Sequence, residues 1–147
     1  MRRFQFRLET ALRLRRLAEQ QAQSALAEAE RAILVAEEAL TLALKEYEQH
    51  QGYCTRLHAR RLNDIALLVA ASQYTLVLEE DVDAQREQVR LAVTKREAQR
   101  EALCVRRQER EALDKLREKQ RLVHLQEEAT EEQAWLDEVA VLRWGRT

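Results

Sequence analysis

Apolar residues recur at a step of seven along the first third of the chain. Ala22, Ala29, Ala36 and Ala43 make one series, and Leu26, Ile33, Leu40 and Tyr47 make another. Interleaved, the two occupy the a and d positions of a heptad, which gather on one stripe of a helix and predict packing against a second helix. Upstream, apolar positions begin at Phe4, Phe6 and Leu8 and continue through Ala11, Leu12 and Leu17. A further row of alanines at 18, 25, 32 and 39 flanks the first. Alanine at alternate seam positions lets two backbones approach closely while leucine and isoleucine fill the spaces between, which suits a tight antiparallel pair.

The seam fades after Tyr47, and Gly52 follows where a helix C-cap is expected. From Gly52 to Asp64 the periodicity is lost and Arg56, Arg60 and Arg61 accumulate. Asn63 or Asp64 then suits the N-cap of a second helix starting at Ile65. That helix shows no break before Trp144, and its weaker seam reads Leu68, Leu78, Val82, Val89, Ala92 and Leu103, interrupted by Arg96 and Gln99. The fold class expected is all-α, a long two-helix antiparallel coiled-coil hairpin forming a single domain over 1–147. Helix one is expected over about 4–51, the tip over about 52–63 and helix two over about 64–144. Folding back at the tip places Leu40 opposite Leu76, Leu26 opposite Arg90, Leu12 opposite Cys104 and Phe4 beside Ala112. Roughly 30 residues of helix two then overhang, from about 113 to 144.

Composition reinforces this picture. The chain has no proline and only two glycines, so little is available to end a helix or shape a loop. Charged residues make up 35% and aromatics 5%, which fits a long charged helix pair better than a globule with a thick core. The net charge of -1 balances 25 basic against 26 acidic residues and argues against bulk attraction to nucleic acid or an anionic membrane. No apolar run reaches the ~20 residues that cross a bilayer, and no hydrophobic signal core follows the basic start. A cytosolic chain with Cys54 and Cys104 reduced is the expectation.

Two features stand out as docking candidates. The stretch from Ile65 to Leu78 contains no charge, whereas one helix of a two-stranded coil needs only one apolar stripe. Either a second partner buries it, or it faces solvent as a docking patch with Leu42, Leu44 and Tyr47 nearby, or it packs on a kinked first helix or a second copy. The second feature is the overhang, which regains apolar character from Trp135 to Trp144 after a highly charged stretch. Its two tryptophans are expected either as interface anchors or as a cover for Phe4 and Phe6.

Chemistry finds little support. His50, Cys54 and His58 are spaced at four, but Gly52 lies among them, no fourth ligand is evident, and a solvated hinge accounts for them better than zinc. His124, alone in a charged segment, is expected to be solvated. No glycine-rich loop can cradle phosphate, and Ser24 and Ser72 have no histidine placed to activate them. Glu127, Glu128, Glu131 and Glu132 read as solvated faces. The basic stripe of Arg106, Arg107, Arg110 and Arg117 is interleaved with Glu109, Glu111 and Glu118, which argues against nucleic acid. No catalytic residue, metal or cofactor is expected.

The two ends resemble a known family. Phe4-Gln5-Phe6-Arg7-Leu8-Glu9, followed by Ala11, Leu12, Leu14 and Arg15, resembles the start of the flagellar export protein FliJ. Leu116-Arg117-Glu118-Lys119-Gln120, then Glu127-Glu128 and Leu136-Asp137-Glu138 with Ala140, resembles the C-terminal third of that family. Ala36-Glu37-Glu38 with Leu40, and Gln73-Tyr74 before Leu78, resemble its middle. The resemblance implies a non-enzymatic, cytoplasmic part of the flagellar type III export apparatus, peripherally associated with the inner membrane. It implies a stalk-like coiled coil that binds the hexameric export ATPase FliI and promotes its assembly and activity. It also implies contacts with the cytosolic domain of the export gate FlhA, with FliH and with export chaperones. Mapped by this resemblance, the ATPase-facing residues are Phe4, Phe6, Leu8, Leu12, Leu136, Val139, Leu142 and Trp144. The gate-facing residues are Ala39, Ala43, Tyr47, Tyr74 and Leu78, with Asp81 and Gln85 departing from the family's pattern. The alternatives are the equivalent stalk of a virulence type III system (the YscO group) and a generic coiled-coil scaffold.

Overall fold

The computed structural model describes residues 3–60 and 64–146. These form two helices, α1 (Glu9–Ala59) and α2 (Ile65–Trp144), and no strand among the described residues. The helices pack against each other antiparallel, and their contacts divide into two units. One comprises the described residues up to Gln21 together with those from Cys104 onward; the other is Ala22–Leu103.

The second unit is a helical hairpin built on the seven-residue series. Ala29, Ile33 and Ala43 are buried, and Ala22, Ala36, Leu26, Leu40 and Tyr47 are half-buried beside them. Facing them on α2, Ala71, Leu78, Val82 and Leu103 are buried, while Gln85, Arg96 and Gln99 take seam positions half-buried. Gly52 does not end α1. Both series carry on past it, through His50 and Leu57 in one row and Cys54 in the other, and burying these residues holds the helix together. Gly52 itself faces open space. The expected tip at 52–63 is therefore largely helix: α1 runs to Ala59, where the Arg60 N–H donates to the Arg56 carbonyl. On the far side, Asp64 caps α2, its Oδ1 accepting the Leu67 N–H at 3.2 Å. The candidate cap Asn63 and the basic Arg61 lie outside the described residues.

In the first unit α1 starts at Glu9, not near Phe4. The Phe4-x-Phe6 spacing has a period of two, which belongs to extended chain. Phe6 is accordingly buried and Phe4 half-buried, with Gln5 and Arg7 exposed between and beyond them. Leu12 is the most completely enclosed side chain, at 0% exposure. The α2 helix closes at its far end with the Gly145 N–H on the Val141 carbonyl, 2.9 Å.

Cross-helix ion pairs set the register of this unit. Arg117 meets Glu9 at 3.5 Å, Arg15 meets Glu109 at 2.8 Å and Arg16 meets Asp114 at 3.1 Å. Glu19, itself buried in the seam, accepts from Arg110 Nε and Nη2, with Arg107 3.5 Å away. Arg110 also donates to Asp114 at 2.9 Å. The register expected from folding back near residue 58 is thus displaced by about 8 to 14 residues, roughly 12–21 Å along α2. Phe4 lies beside His124 instead of Ala112. The reason is the extra length of α1: each turn added before the reversal carries its start further along α2.

The network also fixes a pH response. The hydrogen bond from Arg110, reinforced by Arg16, lowers the Asp114 carboxyl below its ordinary value of 3.8 against the opposing effect of burial. The hydrogen bond to Glu19, then that to Asp114, raises Arg110 above its ordinary value, so it stays charged throughout. A carboxylate depressed in the folded state contributes stability above its unfolded pKa and loses it as pH falls through the folded value. Thermal melts should therefore stay flat from pH 7 to about 5 and drop below about 4. In Asp114→Asn, the melting temperature near neutral pH should be lower and that drop shallower. Separately, Gly52→Ala should raise stability by about 0.5–1 kcal/mol in urea denaturation, since Gly52 is a mid-helix residue with room for a methyl group. A loss of stability would restore Gly52 as a cap.

Candidate functional site

The residues singled out from sequence separate into those that build the helix pair and those left at its surface. Of the first set, Phe6 and Leu12 are buried. Phe4 packs edge-on against the ring of His124, with centroids 5.6 Å apart, and Leu8 is partly exposed. His124 is not the solvated residue expected. It is half-buried under Phe4, and its Nδ1 lies 3.8 Å from Glu128. Beyond this point α2 has little cover: from Ala129 to Arg146 every residue is exposed. Leu136, Val139, Leu142 and Trp144 all lie in that stretch, as does Trp135. Trp135, Val139 and Leu142 follow at i, i+4 and i+7, so they share one helical face. Glu132 and Glu138 border this face on either side, Glu131 continues it one turn earlier, and Asp137 points away from it.

The structure does not bring the two halves of the set together. Phe4 meets α2 at His124, about three helical turns before Trp135. Trp135 therefore does not cover Phe4, and the exposed face stands apart from the N-terminal residues. The overhang begins after His124, which makes it about ten residues shorter than the 113–144 expected.

The second set divides in the same way. Ala43 and Leu78 are buried at 5% and 4% exposure, between the helices. Ala39 is half-buried. Tyr47, also half-buried, donates its hydroxyl to Glu79 at 3.3 Å. Tyr74 is half exposed. In the uncharged stretch around it, Ala71 and Leu78 are buried and Leu67, Leu68 and Thr75 half-buried. Ile65 at 74%, Val69, Leu76 and Val77 are exposed, and so is Leu42 on α1. Of the possibilities open for this stretch, packing on a kinked first helix is ruled out, because α1 leaves these residues uncovered. One seam stripe faces α1 and the opposite face is apolar without need of it.

Sequence reasoning missed the polar centre of this unit. His50 is buried at 8% exposure, with Nε2 2.9 Å from the Ala71 carbonyl and 2.9 Å from Thr75 Oγ1. Cys54 Sγ lies 3.4 Å from the same nitrogen. This is a packed seam position, not a solvated hinge, and His58 takes no part in it; it is exposed. The signal was available: position 50 is the next member of the series of alanines that ends at Ala43. Among the described residues no group of three or more His, Cys, Asp or Glu side chains is placed to hold a metal ion. No helix is long and apolar enough to cross a membrane among those residues.

An arrangement of this kind, apolar side chains held out of a paired core by ion pairs and small seam residues, is suited to docking other proteins. Comparison with known proteins bears on which. A search of curated proteins finds no match. Among solved structures, the chain resembles a YscO homolog from Chlamydia trachomatis with a TM-score of 0.72 and 22% identity, covering 95% of this chain and 94% of that one. At that identity the likeness concerns the fold. Residues 4–147 match the family described as Flagellar FliJ protein.

Proposed function

The chain belongs to the flagellar FliJ family, a component of type III protein export, and on that premise we propose that it is a stalk-like activator docked to other export proteins and performing no chemistry itself. The exposed end of α2 is the surface facing the hexameric export ATPase FliI. Leu136, Val139, Leu142 and Trp144 make the contacts, with Phe4 and Leu8 at the base, while Phe6 and Leu12 fix the N-terminal segment from behind. Binding there promotes assembly of the hexamer and its activity. An inserted helix alters a ring of subunits only through contacts that differ between their conformations. An exposed helix with unlike faces, one apolar and flanked by carboxylates, offers such contacts.

The lateral face of the Ala22–Leu103 unit is the surface for the cytosolic domain of the export gate FlhA. Tyr74 reaches the partner there, Ala39 and Tyr47 border it, and Ala43 and Leu78 act as the packing beneath. FliH and export chaperones complete the set of partners, at the cytoplasmic face of the inner membrane, where the protein associates peripherally. The observation that carries this reading is the run of exposed apolar side chains from Trp135 to Leu142, on a helix whose earlier turns are paired. A stalk of a virulence type III system has the same architecture, as the YscO homolog illustrates. The match to the flagellar family over nearly the whole chain favours the flagellar machine, and restoration of motility in a strain lacking its own FliJ distinguishes the two.

Leu136→Asp combined with Leu142→Asp should abolish stimulation of the purified export ATPase, returning turnover to the ATPase's basal rate. Helicity by circular dichroism should be unchanged, because both positions are exposed and add nothing to the paired core. Undiminished stimulation overturns the assignment of this surface.

A further inference from the structure

Position 50 asks for an aliphatic residue and holds a histidine. It follows Ala43 and precedes Leu57 in the buried row of α1, both of which pack as simple hydrophobes. His50 is as buried as they are, yet it makes directional bonds to α2. The Ala71 carbonyl can only accept, so the Nε2 atom 2.9 Å away carries the hydrogen. Thr75 Oγ1 donates to the same carbonyl at 3.0 Å, which braces the group from the other side. These bonds fix both the tautomer and the plane of the imidazole.

Two tyrosine rings lie against the imidazole. Tyr74 stands perpendicular to it with centroids 4.8 Å apart, and Tyr53 lies tilted at 6.2 Å. One comes from α2 and the other from α1, and both are substantially exposed. A half-exposed tyrosine has water on its outer side and takes its rotamer from whatever touches its inner side. For these two rings, the imidazole is the aromatic contact on that inner side.

We propose that His50 is a positioning residue that holds Tyr53 and Tyr74 as a pair of aromatic anchors on the lateral face. This rests on the reading of that face as the gate-docking surface, and it adds Tyr53 to Tyr74 as a second anchor there. Tyrosine presents a large, stiff, amphipathic contact at low cost in entropy, and it is enriched where binding energy concentrates. The residues around Tyr74, from Ile65 to Leu78, carry no charge. The complementary surface on the gate domain is therefore apolar, with uncharged hydrogen-bonding groups for the two phenol hydroxyls.

The test uses the full chain with its three tyrosines fluorinated, each resonance assigned by a Tyr→Phe variant. His50→Leu keeps the seam apolar, so melting temperature and helicity should hold or rise. The resonances of Tyr53 and Tyr74 should move toward the value of free fluorotyrosine while Tyr47 stays in place. Affinity for the purified gate cytosolic domain should fall about fivefold. Thr75→Val, which removes one brace without opening the seam, should move the same two resonances less far. Resonances of Tyr53 and Tyr74 unmoved in both variants overturn the positioning role. Tyr74→Ala separates the two claims. If it binds the gate domain as tightly as the parent chain while the resonances shift as expected, the docking reading of this face fails and the positioning of the rings stands.

Discussion

The register of α1 on α2 decides which residues of this protein are covered and which are offered to others. In the first unit that register rests on a carboxylate where a coiled coil ordinarily takes an aliphatic side chain. Glu19 is buried in the seam, gripped by Arg110 and approached by Arg107. Burial makes this alignment costly to break, because a carboxylate left desolvated and unpaired costs more than the pair itself contributes. Asp114 ties the same arginine to Arg16, so the alignment is checked from both helices. Alanine seams pack almost equally well at several offsets, and polar seam residues of this kind are what select one.

Coverage follows from that alignment. With Glu9 at Arg117, the described residues ahead of α1 meet α2 at His124 through Phe4, and α2 runs on for about six turns beyond it. The apolar residues in those turns are not part of this chain's own core. In the second unit the same logic acts sideways. The seam takes one stripe of the uncharged stretch, through Ala71 and Leu78, and leaves Ile65, Val69, Leu76 and Val77 on the face turned away. Residues such as Leu12, Ala43 and Leu78 support the docking surfaces from within, and exposed neighbours make the contacts.

The seven-residue series made the helices, their antiparallel pairing and the candidate partner-facing segments legible in the sequence, because periodicity records which stripe is buried. The register was not legible. Gly52 has the composition of a cap but the position of an exposed mid-helix residue, and only the burial of His50, Cys54 and Leu57 around it reveals the difference. These three continue both series in residue types that do not look like a seam. The Glu19–Arg110 network was hidden for a related reason. In a chain with 35% charged residues, nothing local distinguishes a buried ion pair from a solvated one. The phenylalanines at 4 and 6 sit at the period of extended chain, which sets them apart from the helix that begins at Glu9.

The alignment of the two helices can be read directly by pulsed electron paramagnetic resonance between paired spin labels, with Cys54 and Cys104 replaced by alanine. Thr10 with Lys115, and Thr10 with Arg106, are exposed pairs within the first unit. The two α2 sites are about 13 Å apart along the helix. The register fixed by Glu19 and Arg110 predicts the shorter distance for Thr10 with Lys115. A shorter distance for Thr10 with Arg106 would mean that α1 covers a different part of α2, and the exposed face from Trp135 to Leu142 would lose its basis.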